Sequence, residues 1–471
     1  MKYEPGRWSL TELRRRLERG EVRAADAVRA CLARIAVEND ELRTFASLAG
    51  SAALHAAKAA DSGKAKGTDS GTGALWGVPV AIKDLIDVRG LRTTAASRVL
   101  EDSTPAEEDA ECVRRLRAAG AIVVGKTNLH EFAYGGSGAI SAYGAARNPL
   151  DRARVCGGSS SGSAAAVAAR MCFGALGTDT AGSVRLPAAG CGVVGFKPTW
   201  GVIPVAGVIP LAWSYDHVGP LARTVEDAGV MFAALAGQEP RWMQTGAEAG
   251  IPTGTQASPQ VGAQFTTPQM VGRVGSESEG VRCGVARKYF CEGLAPEVEA
   301  GFERALDAAR RLGWSLWEVE IEVSEDRTVS NAESWAFHQK WVEERGGLYD
   351  PRTLPRIVNG KKVRVEEYVE LRRELELMRE RRRAGVEGVD VMLTPTSPIL
   401  PPTLEEIAGP EARGLELQML RNTRPFNVLG WPAITVPCAA MVGVQVSAGW
   451  GQDWLALSAA REIERALGEL S

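Results

Sequence analysis

Two glycine- and serine-rich segments hold the residues best suited to chemistry: Gly157-Gly158-Ser159-Ser160-Ser161-Gly162-Ser163 and Gly177-Thr178-Asp179-Thr180-Ala181-Gly182-Ser183-Val184-Arg185. An alanine-rich helix separates them, so serine hydroxyls can meet beside a row of backbone N–H groups, which is the equipment for attacking a carbonyl. A serine hydroxyl is a poor nucleophile until a base takes its proton. No histidine lies in or next to either segment; His217, in Tyr215-Asp216-His217, is the nearest, and a triad through it stays open at this point. Lys83 is the better candidate for the base. It closes the apolar run Val78-Pro79-Val80-Ala81-Ile82, where burial would penalise its charged form and lower its pKa. A lysine standing alone at a strand end would more often pair with a neighbour such as Asp84 or Asp87.

Other chemistries fit less well. Gly120-Ala121-Ile122-Val123-Val124-Gly125-Lys126-Thr127 matches the phosphate-loop pattern letter for letter. Its variable residues nevertheless favour a buried strand over a loop whose N–H groups face phosphates, and a helix precedes it. An NTP site is therefore not expected. The four histidines (His55, His130, His217, His338) lack ligand spacing, and none of the eight cysteines forms a C-x-x-C pair. No metal is expected, no cofactor is called for, and the thiols read as reduced and buried.

The elements that must position these residues read as alternating helix and strand. Ser9-Leu10-Thr11-Glu12 has a helix-start pattern, and a second helix runs from Ala24 to Ile35. A strand covers Trp76–Ile82, ending at Lys83. Helix Glu107–Ala119, strand Ile122–Val124 and helix Ser161–Met171 follow. Beyond residue 280 come strand Val281–Val285, helix Ala295–Leu312, strand Trp314–Ile321 and a charged helix, Lys362–Arg383, read as a solvated face. This implies an α/β fold. With 471 residues, 45% apolar, 24% charged and a net charge of −3, the chain reads as an ordinary soluble protein. Nothing marks a nucleic-acid or membrane partner. No apolar leader follows Met1, and the expected location is the cytoplasm. Residues 238–280, rich in Gly, Pro, Gln, Ser and Thr, read as a loop or insertion, either disordered or covering a site.

Several further segments carry a resemblance: Gly77-Val78-Pro79-Val80-Ala81-Ile82-Lys83-Asp84, Lys126-Thr127-Asn128-Leu129-His130-Glu131-Phe132-Ala133, Gly192-Val193-Val194-Gly195-Phe196-Lys197-Pro198-Thr199, Asp216-His217-Val218-Gly219-Pro220, Leu393-Thr394-Pro395-Thr396 and Gly430-Trp431-Pro432-Ala433-Ile434-Thr435-Val436-Pro437. With the two serine segments, they make the chain resemble the amidase signature family from about residue 5 to 465. The resemblance implies one amidase domain over 1–471, with a large mixed, twisted β-sheet flanked by helices on both faces. Its parts would be a helical region over 1–70, the signature core over 71–230, and a C-terminal half, 281–471, completing sheet and pocket. It implies a Ser–cis-Ser–Lys triad, with Ser183 as nucleophile, Ser159 as bridging residue after a cis peptide bond, and Lys83 as base. The N–H groups of Thr180, Ala181, Gly182 and Ser183 would hold the oxyanion. Asp179 and Arg185 would hold the turn, and Ser160 would support the site from behind.

Within that family, the glutamine-hydrolysing subunit of tRNA amidotransferases is expected to carry an acid just before the Gly-Trp-Pro-Ala-Ile segment. None occurs in Gln418–Asn427, and Leu186 stands where that subgroup usually has glutamine. Allophanate hydrolases usually add a C-terminal domain. The expectation is thus a stand-alone amidase, monomeric or homodimeric, acting on linear amides. Trp200, Trp213 and Trp431 lie near the motifs and point to aryl or apolar amides, carbamates and esters. A urea-derivative hydrolase and the glutamine-hydrolysing amidotransferase component remain the alternatives.

Overall fold

The computed structural model describes residues 8–63, 73–238 and 280–468. Apart from its two end residues, the expected loop 238–280 lies outside that set. The described residues build an eleven-stranded sheet, and its strands are numbered here in chain order. They are β1 (Phe45–Leu48), β2 (Pro79–Lys83), β3 (Ile122–Thr127), β4 (Gly174–Asp179), β5 (Val194–Lys197), β6 (His217–Ala222), β7 (Arg282–Val285), β8 (Ser315–Glu318), β9 (Val391–Pro395), β10 (Ala433–Ala439) and β11 (Val442–Ser447). Their order across the sheet is β1-β3-β2-β4-β6-β5-β10-β11-β9-β7-β8. β2 runs parallel to β3 and β4, and β7 runs parallel to β8 and β9. The remaining pairings are antiparallel, so the sheet is mixed.

Successive strand residues point to opposite faces, and each face has its own core. Val80 and Ile82 pack with helices Leu10–Glu18, Glu111–Ala118, Val225–Ala236, Pro296–Arg311 and Asp453–Gly468 on one side. Ala81 between them packs with helices Ala24–Leu42, Gly50–Asp61 and Ser161–Ala168 on the other. Helices therefore cover both faces, and all five residues of β2 are buried, as expected for a parallel strand enclosed in this way. The two halves of the chain share the sheet through β5 and β10, where Phe196 faces Ile434.

Boundaries shift where the backbone demands it. Gly77 has φ +73, a left-handed conformation, so the strand expected from Trp76 begins at Pro79. Arg170 has φ +59, and the helix expected to reach Met171 ends at Ala168. The helix expected from Glu107 begins at Glu111, because the N–H of Ala110 is held outside it by the carbonyl of Asp87. The charged helix spans Val365–Arg381, and one of its cations is not solvated: Arg379 donates to the carbonyls of Val428, Ser214 and Asn427. All eight cysteines are free, and seven are buried.

Candidate active site

The parallel strands β2 and β4 end side by side, and this brings the two serine segments to Lys83. Ile82 is in register with Leu176, so Lys83 closes β2 just where Thr178 and Asp179 close β4. Catalytic groups of α/β sheets gather at such carboxyl ends, since the loops leaving them converge. The first serine segment arrives from the other side, at the start of helix Ser161–Ala168, and the Gly158–Ser159 peptide bond is cis. The N–H of Ser160 donates to the carbonyl of Ser183 at 3.2 Å, which ties the two loops together.

Lys83 is fully buried among hydroxyls. Its Nζ donates to Ser159 Oγ at 2.8 Å, Thr178 Oγ1 at 2.8 Å and Ser160 Oγ at 3.0 Å. Among the described residues no carboxylate lies within ion-pair distance of it. Burial pushes its pKa down to about 7, against a weaker upward pull from Asp179 and Asp216. A useful fraction of Lys83 is therefore neutral at physiological pH and able to accept a proton. No hydrogen bond joins the Ser159 and Ser183 hydroxyls directly. Such contacts are often loose without substrate and close by rotation about a single bond.

The nucleophile loop is built on a buried ion pair. Asp179 and Arg185 are both 0% exposed, and Arg185 Nη2 lies 2.9 Å from Asp179 Oδ1. Burial alone would raise the Asp179 carboxyl, but Arg185, Lys197 and Asn427 hold it well below the usual carboxylate range. Arg185 also donates to Thr423 O, Gln445 Oε1 and Asn427 Oδ1, so its guanidinium is spent inside the protein. Asp179 accepts from the N–H groups of Gly182 at 2.8 Å and Val184 at 3.1 Å. This corrects one expectation: the Gly182 N–H is committed to Asp179 and is not free for an oxyanion. Gly182 matters sterically instead. Its φ is +131, and a Cβ there would collide with the Thr423 side chain. The N–H groups of Thr180, Ala181 and Ser183 make no hydrogen bond to other described residues. Thr180 is held by its side chain, whose Oγ1 donates to Asp216 Oδ1 at 2.5 Å.

His217 is turned away from both serines. Its Nδ1 lies 2.6 Å from Tyr215 O and its Nε2 lies 3.2 Å from Lys197 Nζ, so both ring nitrogens are occupied. Burial and the neighbouring Lys197 keep the ring neutral. A triad through His217 therefore lacks a free nitrogen. Of the Gly120–Thr127 stretch, Ile122–Thr127 form strand β3, and Lys126 is paired with Asp84 at 2.8 Å. Of the three tryptophans singled out, Trp431 is core and Trp200 packs under Arg379 and Trp450. Trp213 alone lines a pocket near the site, beside Thr180 and His217.

Thr178 and Asp216 are site residues that sequence reasoning passed over. Thr178 sits inside the quoted segment, and its place two residues before Thr180 was the available signal. Asp216, raised to about 6 by burial, also accepts from the N–H groups of Leu211 and Ala212, and its contact with Thr180 depends on the fold alone.

Comparison with known proteins places this geometry in a family. The profile of the Amidase family matches residues 26–457. The chain is 34% identical over 467 residues to the A component of a glutamyl-tRNA(Gln) amidotransferase from Roseiflexus sp. strain RS-1, covering 93% of this chain and 91% of that one. A protein of the same name from Nitratidesulfovibrio vulgaris strain DP4 is 44% identical over 315 residues, 66% of this chain and 60% of that protein. A crystal structure of an amidase superposes with a TM-score of 0.82 at 30% identity, over 97% of this chain and 99% of that one. The chain belongs to the amidase signature family, whose chemistry is hydrolysis of amide C–N bonds.

Proposed function

We propose that this chain hydrolyses a small-molecule carboxamide through an acyl-enzyme on Ser183. The observation that carries this reading is a buried lysine, without a carboxylate partner among the described residues, 2.8 Å from Ser159 Oγ. Neutral Lys83 takes the Ser159 proton as Ser159 takes that of Ser183, whose Oγ attacks the carbonyl carbon. The N–H groups of Thr180, Ala181 and Ser183, the three left free among the described residues, receive the oxyanion, with the Thr180 side chain held by Asp216. The proton returns along the same path to the leaving nitrogen, and water then cleaves the acyl-enzyme. Thr178 and Ser160 hold Lys83 in place between turnovers.

Two substrate readings divide the support. The names of the curated relatives favour glutamine hydrolysis within a tRNA-dependent amidotransferase assembly. The stand-alone reading draws on Leu186, on the absence of an acid in 418–427, and on a cleft at Ser183 with no acidic lining residue among those described. Without an acid, that cleft offers glutamine's ammonium group no counter-charge among the described residues. Aryl amides, carbamates and esters have only Trp213 behind them. A hydrolysis screen separates these cases: glutamine, with and without co-expressed amidotransferase partners, against aliphatic amides, anilides, ureas and aryl carbamates. Glutaminase activity that appears only with the partner proteins would establish the assembly reading. Turnover of simple amides by the isolated chain, with glutamine inert, would establish the stand-alone one.

A further inference from the structure

We propose that the cleft at Ser183 selects amides that carry a carboxylate and no ammonium group, bound by Arg327, Arg413 and Arg424; the proposal rests on the amide-hydrolase reading above. The cleft opens at Ser183, between Tyr134 and Tyr215. Three guanidinium groups line it, brought from three separate places in the chain. Arg327 precedes helix Thr328–Arg345, Arg413 lies in helix Ala412–Met419, and Arg424 opens helix Arg424–Val428. No Asp or Glu lines the cleft among the described residues.

Among the described residues Arg327 and Arg424 have no carboxylate within ion-pair distance, and Arg413 has only a shared one. Arg424 is buried and donates to the carbonyls of Ser324 and Asp326, which satisfies its N–H groups but cancels no charge. Arg413 lies 3.2 Å from Glu416, yet that carboxylate is already shared with Arg356 at 2.8 Å and faces His130. Arg327 has no carboxylate within ion-pair distance among the described residues. The nearby acids are occupied elsewhere: Glu325 accepts from the Tyr289 hydroxyl at 3.0 Å, and Asp326 from the N–H of Thr328 at 2.6 Å. Burial, then the charges of Arg424 and Arg413, push Arg327 down to about 10, so it remains a cation at neutral pH. Partly buried like charges destabilise a fold unless something compensates. Arg424 has a structural reason to be there, since it clamps residues 324 and 326. Arg327 has none, and an anionic substrate supplies the missing partner. Arginine suits that task because its planar fork matches a carboxylate.

The test compares ammonia release from the monoamides of succinic, glutaric and adipic acids with release from neutral amides of matching shape. For the glutaric case the neutral partner is 5-methylhexanamide, and glutamine is the same acid with an ammonium group added. The expected result is that at least one monoamide exceeds its neutral partner by about 10²-fold in kcat/KM, and exceeds glutamine, as suits charge-assisted hydrogen bonds to carboxylate. In Arg327→Gln that ratio should fall to within a few fold. The wild-type ratio stands as a test even if the variant folds poorly. Neutral amides turned over as well as the acids, or glutamine preferred, would overturn the inference and leave the amidase reading intact. No hydrolysis of any amide would remove the amidase reading itself, and this inference with it.

Discussion

Two lysines at the ends of neighbouring parallel strands show how one residue type is directed to opposite tasks. Lys83 ends β2, and Lys126 is the penultimate residue of β3; both are 0% exposed. Lys126 has Asp84 at 2.8 Å and also donates to Thr93 Oγ1 and Arg92 O. Lys83 has three hydroxyls and no carboxylate in contact. Burial is the same for both, so the counter-charge decides. Paired, the lysine is a brace between the turn after β2 and strand β3. Unpaired, it is a base whose charged form is costly, with a pKa of about 7.

The largest expected effect lies beyond the two lysines, at the residue that Lys83 serves. Ser183→Ala should lower amide hydrolysis by about 10⁴-fold or more while leaving thermal unfolding unchanged, because the hydroxyl faces the cleft. Residual activity near wild type would remove Ser183 from the chemistry. The lysines themselves should then behave oppositely. Lys126→Met should destabilise the fold by about 3–5 kcal/mol, since it strands the Asp84 carboxylate. Lys83→Met should cost most of the activity but leave Tm at neutral pH at or above that of wild type, because it removes a cation that burial opposes. Urea melts and ammonia release on the same two variants test both halves. Equal loss of stability in both would break the comparison.

The pH dependence of stability sharpens it. The folded pKa of Lys83 lies below that of an ordinary lysine, 10.5. Between about 7 and 10.5 the unfolded chain holds a proton there that the folded chain has released. Linkage then makes the contribution of Lys83 to stability rise with pH across that window and stay level at its lowest value below it. Urea midpoints between pH 7 and 10 should rise more steeply in wild type than in Lys83→Met. Identical slopes would contradict a depressed pKa.

Smaller effects probe the surroundings. Gly182→Ala forces the loop against Thr423 and should reduce the rate by about 10²–10³, the usual scale for disturbing an oxyanion site, with little effect on KM. Thr178→Val removes one acceptor that favours charged Lys83, so the midpoint of the pH–rate curve should move to lower pH. A shift upward would mean that Thr178 does not stabilise the charged form.

What could be read from the sequence divides along the same line. The placement of Lys83, Ser159 and Ser183 was legible because each sits in a local motif, whereas strand β4, which carries the second serine segment to Lys83, was not among the expected strands. The commitment of the Gly182 N–H to Asp179 was not legible, since it depends on how a turn folds back on its own preceding residue. The hold of Asn427 and Gln445 on Arg185 spans more than two hundred residues and leaves no local trace. The same is true of Arg327, Arg413 and Arg424, which only the folded chain gathers at one cleft. Tryptophan content misled for a related reason: Trp431 and Trp200 stand beside motif residues in sequence but serve packing in space.

The most direct test of the account is the pH dependence of kcat/KM for one hydrolysed amide, in wild type and in Lys83→Met. The account predicts a wild-type rate that rises with pH through a midpoint near 7 and then levels, with this limb absent from the weakly active variant. A profile flat from pH 5 to 9 in wild type, or the same limb persisting in an active Lys83→Met, would contradict it.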